Sequence, residues 1–333
     1  MQKKASDLHL SSGCKAKYRI DGDLIDIESS PVLNDKMISE MLLEIMNEDQ
    51  KNELVETYEC DFAIDDKDND ARFRVNAFFH NRGYGAVLRR LENTVPTLDQ
   101  FGAPAVLKKV QAKRGGLLLV TGPTGSGKSS TLAALVNEIN HKEEVHILTI
   151  EDPVEFVHQS KKALVNQREV KRDTKSFNAA LKSALREDPD CILVGEMRDL
   201  ETIRLALEAA ETGHLVLGTL HTMSAIKTVD RIISVFPPAE QELVRNMLAE
   251  SLQIVISQRL LKRNGGGRIA AYEVLVSNVG VRNMIKENKL SQIYSAIQTG
   301  SSQGMITMEQ SIENLLKSGK IAPEEAAKYI MVR

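Results

Sequence analysis

An apolar strand that runs into a glycine-rich loop and then a helix admits few folds, and GLLLVTGPTGSGKSS, residues 116–130, has that order. The pattern G-x-x-x-x-G-K-[ST] is filled by Gly122, Pro123, Thr124, Gly125, Ser126, Gly127, Lys128 and Ser129, with Ser130 next in line. Glycines let the loop backbone turn its N–H groups onto a phosphate, and the helix that follows adds the positive end of its dipole. In such a loop the lysine bridges the β- and γ-phosphates of ATP and the serine hydroxyl ligates Mg²⁺. The competing reading is a bland glycine turn; the flanking strand and helix weigh against it.

The same texture recurs downstream. HILTIED, CILVGE and HLVLGTL are short apolar runs, each followed by a helical pattern. Buried strands alternating with helices predict a mostly parallel sheet covered on both faces, an α/β lobe spanning about 112–276. NGGGR at 264–268 marks a tight turn into the strand IAAYEVLV, and three or four short helical patterns, interrupted by Gly300 and Gly304, form a C-terminal helical segment over 277–333.

Residues 1–94 read differently. YRIDGDLIDI predicts two strands around an Asp-Gly turn, DKMISEMLLEIMNEDQKNELVE one amphipathic helix, and RFRVNAFFHNRGYGAVLRRL a strand pair broken at Asn81–Gly83. TVPTLDQFGAP, with Pro96, Gly102 and Pro104, predicts a linker over 95–111. At 333 residues the chain has room for two such lobes. A net charge of −3 and few aromatics argue against a nucleic-acid partner. Three scattered cysteines suit a reducing compartment, and the absence of an apolar run near 20 residues argues against direct membrane insertion.

Carboxylates cluster twice. IEDPVE places Glu151, Asp152 and Glu155 at the end of the strand after the glycine loop, where a parallel sheet presents its ligand edge. By spacing alone they are either a catalytic cluster or a solvated loop with a helix cap. In CILVGE the strand ends on Gly195-Glu196, where a P-loop enzyme usually has aspartate. Two roles are open to Glu196: ordering water around the metal held by Ser129, with Glu151 or Glu155 as general base, or pairing structurally with Arg198. His214 and His221 flank one buried strand; their odd separation puts them on opposite faces, against joint metal ligation.

Taken together, GPTGSGKSS, TIEDPVEF, ALREDPDCILVGEMRDLET and TGHLVLGTLHT resemble, in order, the Walker A, Asp box, Walker B and His box of the secretion-superfamily ATPases. ASDLHLSSG, ARFRVNAF and NQREVKRDT extend the resemblance over essentially the whole chain. It implies a PAS-like N-terminal lobe, a RecA-like P-loop NTPase lobe, and a homohexameric ring with ATP bound between lobes. Lys128 and Ser129 then hold phosphate and Mg²⁺, Glu151 and Glu155 belong to the Asp box, Glu196 is the Walker B acid, and His214 and His221 form the His box beside the nucleotide. Arginines of the N-terminal lobe serve such proteins as phosphate sensors; Arg72, Arg74, Arg82 and Arg89 are the candidates, with Arg82 and Arg89 preferred.

Within the superfamily, two features point to pilus retraction rather than assembly. QRLLKRNGGGR crosses, without a cysteine, the region where assembly relatives carry a tetracysteine zinc module, and GVRNMIKE at 280–287 resembles the retraction motif A-I-R-N-L-I-R-E. Gly280 is expected to delay the start of that helix by one residue. The resemblance implies a cytoplasmic motor that meets the inner face of the membrane through a pilus platform protein and works beside a PilU-like paralogue. The alternatives are a PilU-like accessory ATPase, a secretion-assembly ATPase and, from another class, a DNA translocase. Family members usually precede ASDLHL with a helix of a dozen or more residues, whereas here it begins at residue 5; the expectation is a truncated chain or a misplaced start, which leaves the first N-lobe helix and any interface it makes open.

Overall fold

The structure, a computed structural model, describes residues 5–20, 23–66, 68, 71–91, 94–112 and 115–330. It divides into two compact units, Met1–Thr94 and Val95–Arg333.

In the first unit, strands β1 (Asp7–Ser11), β2 (Lys17–Ile20) and β3 (Asp23–Asp26) precede helices α1 (Asp35–Ile45) and α2 (Glu48–Thr57); β4 (Glu59–Asp66), β5 (Ala71–His80) and β6 (Gly83–Leu91) follow. The antiparallel sheet runs β3-β2-β1-β6-β5-β4. Ile38 and Leu42 of α1 pack on Val75, Ala77 and Ala86 of the sheet. Asn81 and Arg82 join β5 to β6, where a turn was expected, whereas the Asp-Gly turn between β2 and β3 lies outside the described residues.

The single helix expected over 35–56 is two helices. Asn47 accepts from the Gln50 backbone N–H at 2.9 Å and the Gln50 side chain accepts from the Asn47 N–H at 2.9 Å, a reciprocal capping box that starts α2 where the apolar periodicity continues. Asn47→Ala is expected to cost about 1 kcal/mol, measured as a lower urea midpoint by circular dichroism. An unchanged midpoint would show the break to be set by packing instead.

The second unit holds β7 (Gly116–Thr121), α3 (Lys128–Lys142), β8 (His146–Glu151), β9 (Leu164–Glu169), α4 (Phe177–Ala184), β10 (Cys191–Val194), α5 (Leu200–Glu211) and β11 (Leu215–Leu220). After these come α6 (Ala225–Ser234), α7 (Gln241–Ser251), β12 (Leu252–Lys262), β13 (Arg268–Val276), α8 (Val279–Lys286), α9 (Ile293–Thr299), α10 (Met308–Lys317) and α11 (Pro323–Ala326). The sheet order is β13-β12-β7-β11-β10-β8-β9, parallel throughout except for the β12–β13 pair.

Alternation along β7 feeds two cores. Leu117 and Leu119 pack with helices α4 to α9, while Leu118 and Val120 pack with Leu132, Leu135 and Ile139 of α3. Leu98, Leu107 and Val110 belong to the α3 side, so the segment expected as linker carries apolar side chains that are buried in this unit. α8 starts at Val279, not after Gly280, because the Asn278 side chain accepts from the Val281 N–H at 2.9 Å and this cap offsets the poor helix propensity of glycine.

Candidate active site

The loop after β7 is shaped by glycines and fastened by one glutamine. Gly122 has φ 141°, and a Cβ there would stand 2.3 Å from the Gln258 carbonyl. Gln258, buried on β12, donates from Nε2 to the Ser126 carbonyl at 2.7 Å and accepts at Oε1 from Thr131 Oγ1 at 2.8 Å. Loop and first helical turn are thereby tied to the neighbouring strand. Pro123 is half-buried, Thr124, Gly125 and Ser129 are exposed, and Ser130 is half-buried on α3. Buried Lys128 donates from Nζ to the carbonyls of Gly122 at 2.9 Å and Pro123 at 3.1 Å. Burial pushes its pKa down; Glu196 and Glu155 oppose the shift.

The carboxylates gather at the same edge because β8 and β10 are parallel to β7 and end there. Gly195 donates its N–H to the Ile150 carbonyl at 2.8 Å, and a Cβ on it would lie 3.1 Å from that oxygen and 3.3 Å from Glu151 Cα. Glycine therefore lets β10 close against the Glu151 backbone. Glu196 Oε1 is 2.6 Å from Arg198 Nε and 3.1 Å from His221 Nε2, so the ion pair of the structural reading is present.

Glu151 is the outlier. Thr149 Oγ1 donates to its Oε1 at 2.7 Å and Gln167 Nε2 at 3.2 Å, yet burial pushes its pKa up to about 7. A cavity of about 40 Å³ beside it is lined by Ser129, Thr149, Phe156, His158, Gly195 and Thr219, among others. Burial also pushes His158 down to about 4, and its Nδ1 is buried without a hydrogen-bond partner. A carboxyl that titrates near neutrality at the edge of a nucleotide loop is fitted to accept a proton from water.

The sheet separates the two histidines. His221 follows the C-terminal end of β11 beside Glu196, but His214 precedes its N-terminal end, one strand length away, roughly 20 Å, and bonds through Nδ1 to the Ala209 carbonyl at 2.9 Å. Within one subunit His214 is thus apart from the phosphate loop, because a strand's two ends lie on opposite edges of the sheet. The preferred arginines belong to the N-terminal unit: Arg82, at the hairpin tip, donates to Cys14 Sγ at 3.7 Å, and Arg89 Nε pairs with Asp7 Oδ1 at 2.7 Å. Arg72 pairs with Asp65 and Arg74 with Asp61.

Sequence reasoning missed Gln258, Thr131, Gln167 and Glu169. The Glu169 carboxylate accepts from the Val154 N–H at 3.0 Å and, with Gln167, fastens the acidic loop to β9. The motif NQREVKRDT held both residues, but no spacing rule separates such supports from ordinary edge-strand polar residues.

Residues 1–327 match the family described as Type II/IV secretion system protein. The chain is 56% identical over 322 residues to the type IV pilus retraction ATPase PilT of Pseudomonas aeruginosa, covering 97% of this chain and 93% of that protein. It is 37% identical to the type IV pilus ATPase PilU of the same organism, over 99% of this chain and 86% of that one. A crystal structure of the pilus retraction motor PilT with bound ADP is similar with a TM-score of 0.91 and 45% identity, over 99% of this chain and 94% of that chain.

Proposed function

The chain belongs to the Type II/IV secretion system protein family, and from that premise we propose that it is the ATP-hydrolysing motor of type IV pilus retraction, working as a homohexamer. The observation that carries this reading is the convergence of Lys128, Glu151 and Glu196 on one sheet edge, in a chain 56% identical to a retraction ATPase. Identity to PilU is lower, which favours the retraction motor over the accessory paralogue.

Lys128 leaves the loop carbonyls for the β- and γ-phosphates, whose added charge favours its ammonium form. Glu151 takes the proton of the attacking water, a role its raised pKa suits at neutral pH. Glu196, held by Arg198 and His221, orders water at the phosphate edge. Arg82 and Arg89 of the N-terminal unit sense the terminal phosphate in the ring, and Arg89 must first part from Asp7. His214 serves the His box only through the assembled ring.

The residues present fit a Mg²⁺ ion that arrives with the nucleotide: Ser129, with one exposed hydroxyl at the head of α3, would be a direct ligand, and Glu196 would act on the ion's water shell. Mg²⁺ supplies charge neutralisation on the phosphates.

Among the described residues no helix is long and apolar enough to cross a membrane. The proposed motor works from the cytoplasm, meeting the inner face of the membrane through a pilus platform protein and acting beside a PilU-like paralogue, a reading that rests on the 56% identity to a pilus retraction ATPase. Purified protein is expected to release phosphate from ATP only as a hexamer, without stimulation by single-stranded DNA, and to restore twitching to a strain lacking its own retraction motor. Steady hydrolysis with no rescue of twitching would remove the retraction assignment. Tenfold stimulation by DNA would favour a translocase.

A further inference from the structure

The acidic loop that follows β8 is held by a strand that carries no expected site residue. β9 pairs with β8 in parallel register, Thr149 opposite Gln167 and Glu151 opposite Glu169, so alternate residues of both strands face one side. On that side Gln167 makes three hydrogen bonds to the loop. Its Nε2 donates to Glu151 Oε1 at 3.2 Å and to the Phe156 carbonyl at 2.9 Å, and its Oε1 accepts from the His158 N–H at 2.7 Å. The amide orientation is fixed by chemistry, since two partners are acceptors and the third is a donor. Asparagine is one methylene too short to span these partners, and glutamate lacks the donors.

We propose that Gln167 is the positioning residue of the general base, a single side-chain amide that sets the direction of the Glu151 carboxylate and the path of the loop from 151 to 158 together. The proposal rests on the reading of Glu151 as that base. Without Gln167, Thr149 still holds Oε1, but the loop turn at Phe156 and His158 loses its tie to the sheet. The carboxylate then keeps one side-chain donor where it had two. The titratable groups around it are Glu155 on the same loop, whose charge opposes ionisation of Glu151, His158 in the cavity wall, and Glu169 on β9, which is turned to the Val154 N–H. His158, pushed down to about 4, is neutral across the range in which Glu151 titrates.

The test is single-turnover ATP hydrolysis by the hexamer from pH 6 to pH 9, for wild type, Gln167→Met, Gln167→Glu and Glu151→Gln, with the KM for ATP measured beside it. Loss of one donor to a carboxylate is expected to raise the acid limb of Gln167→Met by about one pH unit, so the rate falls about fivefold at pH 7 and recovers by pH 9. The KM stays within about twofold of wild type, because no contact to phosphate is touched. Gln167→Glu keeps the acceptor for His158 and adds a like charge beside Glu151, so its limb moves at least as far. A Gln167→Met profile that superimposes on wild type, or that is lowered equally at every pH, overturns the positioning role even if Glu151→Gln is inactive. Wild-type turnover by Glu151→Gln overturns the assignment of the base, and the role of Gln167 with it.

Discussion

Glu151→Gln is expected to lower single-turnover hydrolysis by about 10²–10⁴ and, in the nucleotide-free protein, to raise thermal stability at pH 8. Both effects come from one fact, the burial that lifts this carboxyl to about 7. Below pH 4 both folded and unfolded chains hold the proton, so burial costs nothing there. As the pH rises from about 4.5 towards 7 the unfolded chain releases its proton while the folded one keeps it, and stability falls. Above 7 the folded protein carries a buried anion, a penalty of about 3 kcal/mol. Glutamine is neutral throughout. The gap in melting temperature between variant and wild type should therefore open between pH 5 and pH 7 and stay constant above. A variant that turns over ATP normally would move the base to Glu155 or Glu196; an equal melting temperature at pH 8 would mean that the carboxyl is better solvated than its setting implies.

Lys128→Ala is expected to weaken nucleotide binding by roughly 30- to 5,000-fold, the consequence of about 2–5 kcal/mol lost when one member of a desolvated charge pair is truncated. Fluorescent-nucleotide titration measures it. The free protein should be little destabilised, because the desolvation that holds down the ammonium's pKa offsets the two carbonyl hydrogen bonds lost with it. A weaker nucleotide affinity at unchanged melting temperature separates a lost phosphate contact from a collapsed loop. Binding within threefold of wild type would show that backbone N–H groups and the α3 dipole carry the affinity by themselves.

The parts of this site that were legible in sequence are those whose chemistry demands one residue type at a fixed place. A loop that wraps a phosphate needs glycines, and Gly122, with its positive φ and its contact to Gln258, has no substitute; a lysine and a hydroxyl must follow. Short apolar runs alternating with helical patterns read as buried strands of a mostly parallel sheet, and β7, β8, β10 and β11 are such strands, although their order across the sheet was not legible. The supports were not legible. Gln258 and Gln167 sit in strands of mixed polarity, where a polar side chain facing a loop looks the same as one facing water. Helix limits were misjudged at Asn47 and Asn278 for one reason: a cap is worth about 1 kcal/mol and acts on a single residue, whereas periodicity and propensity are averages over many. The segment 95–111 has the prolines of a linker, but three apolar side chains, Leu98, Leu107 and Val110, find the core of the second unit.

The close approach at Gly195 also bears on how such a site can change under mutation. An aspartate at this position would bring its Cβ to 3.1 Å from the Ile150 carbonyl, and accommodating it requires the backbone at Glu151 to retreat by a few tenths of an ångström. The same step would set a second anion against a carboxyl that is already hard to ionise. A strand-end aspartate and a near-neutral Glu151 are therefore competing arrangements in this lobe, and exchanging one for the other asks β8 and β10 to shift together.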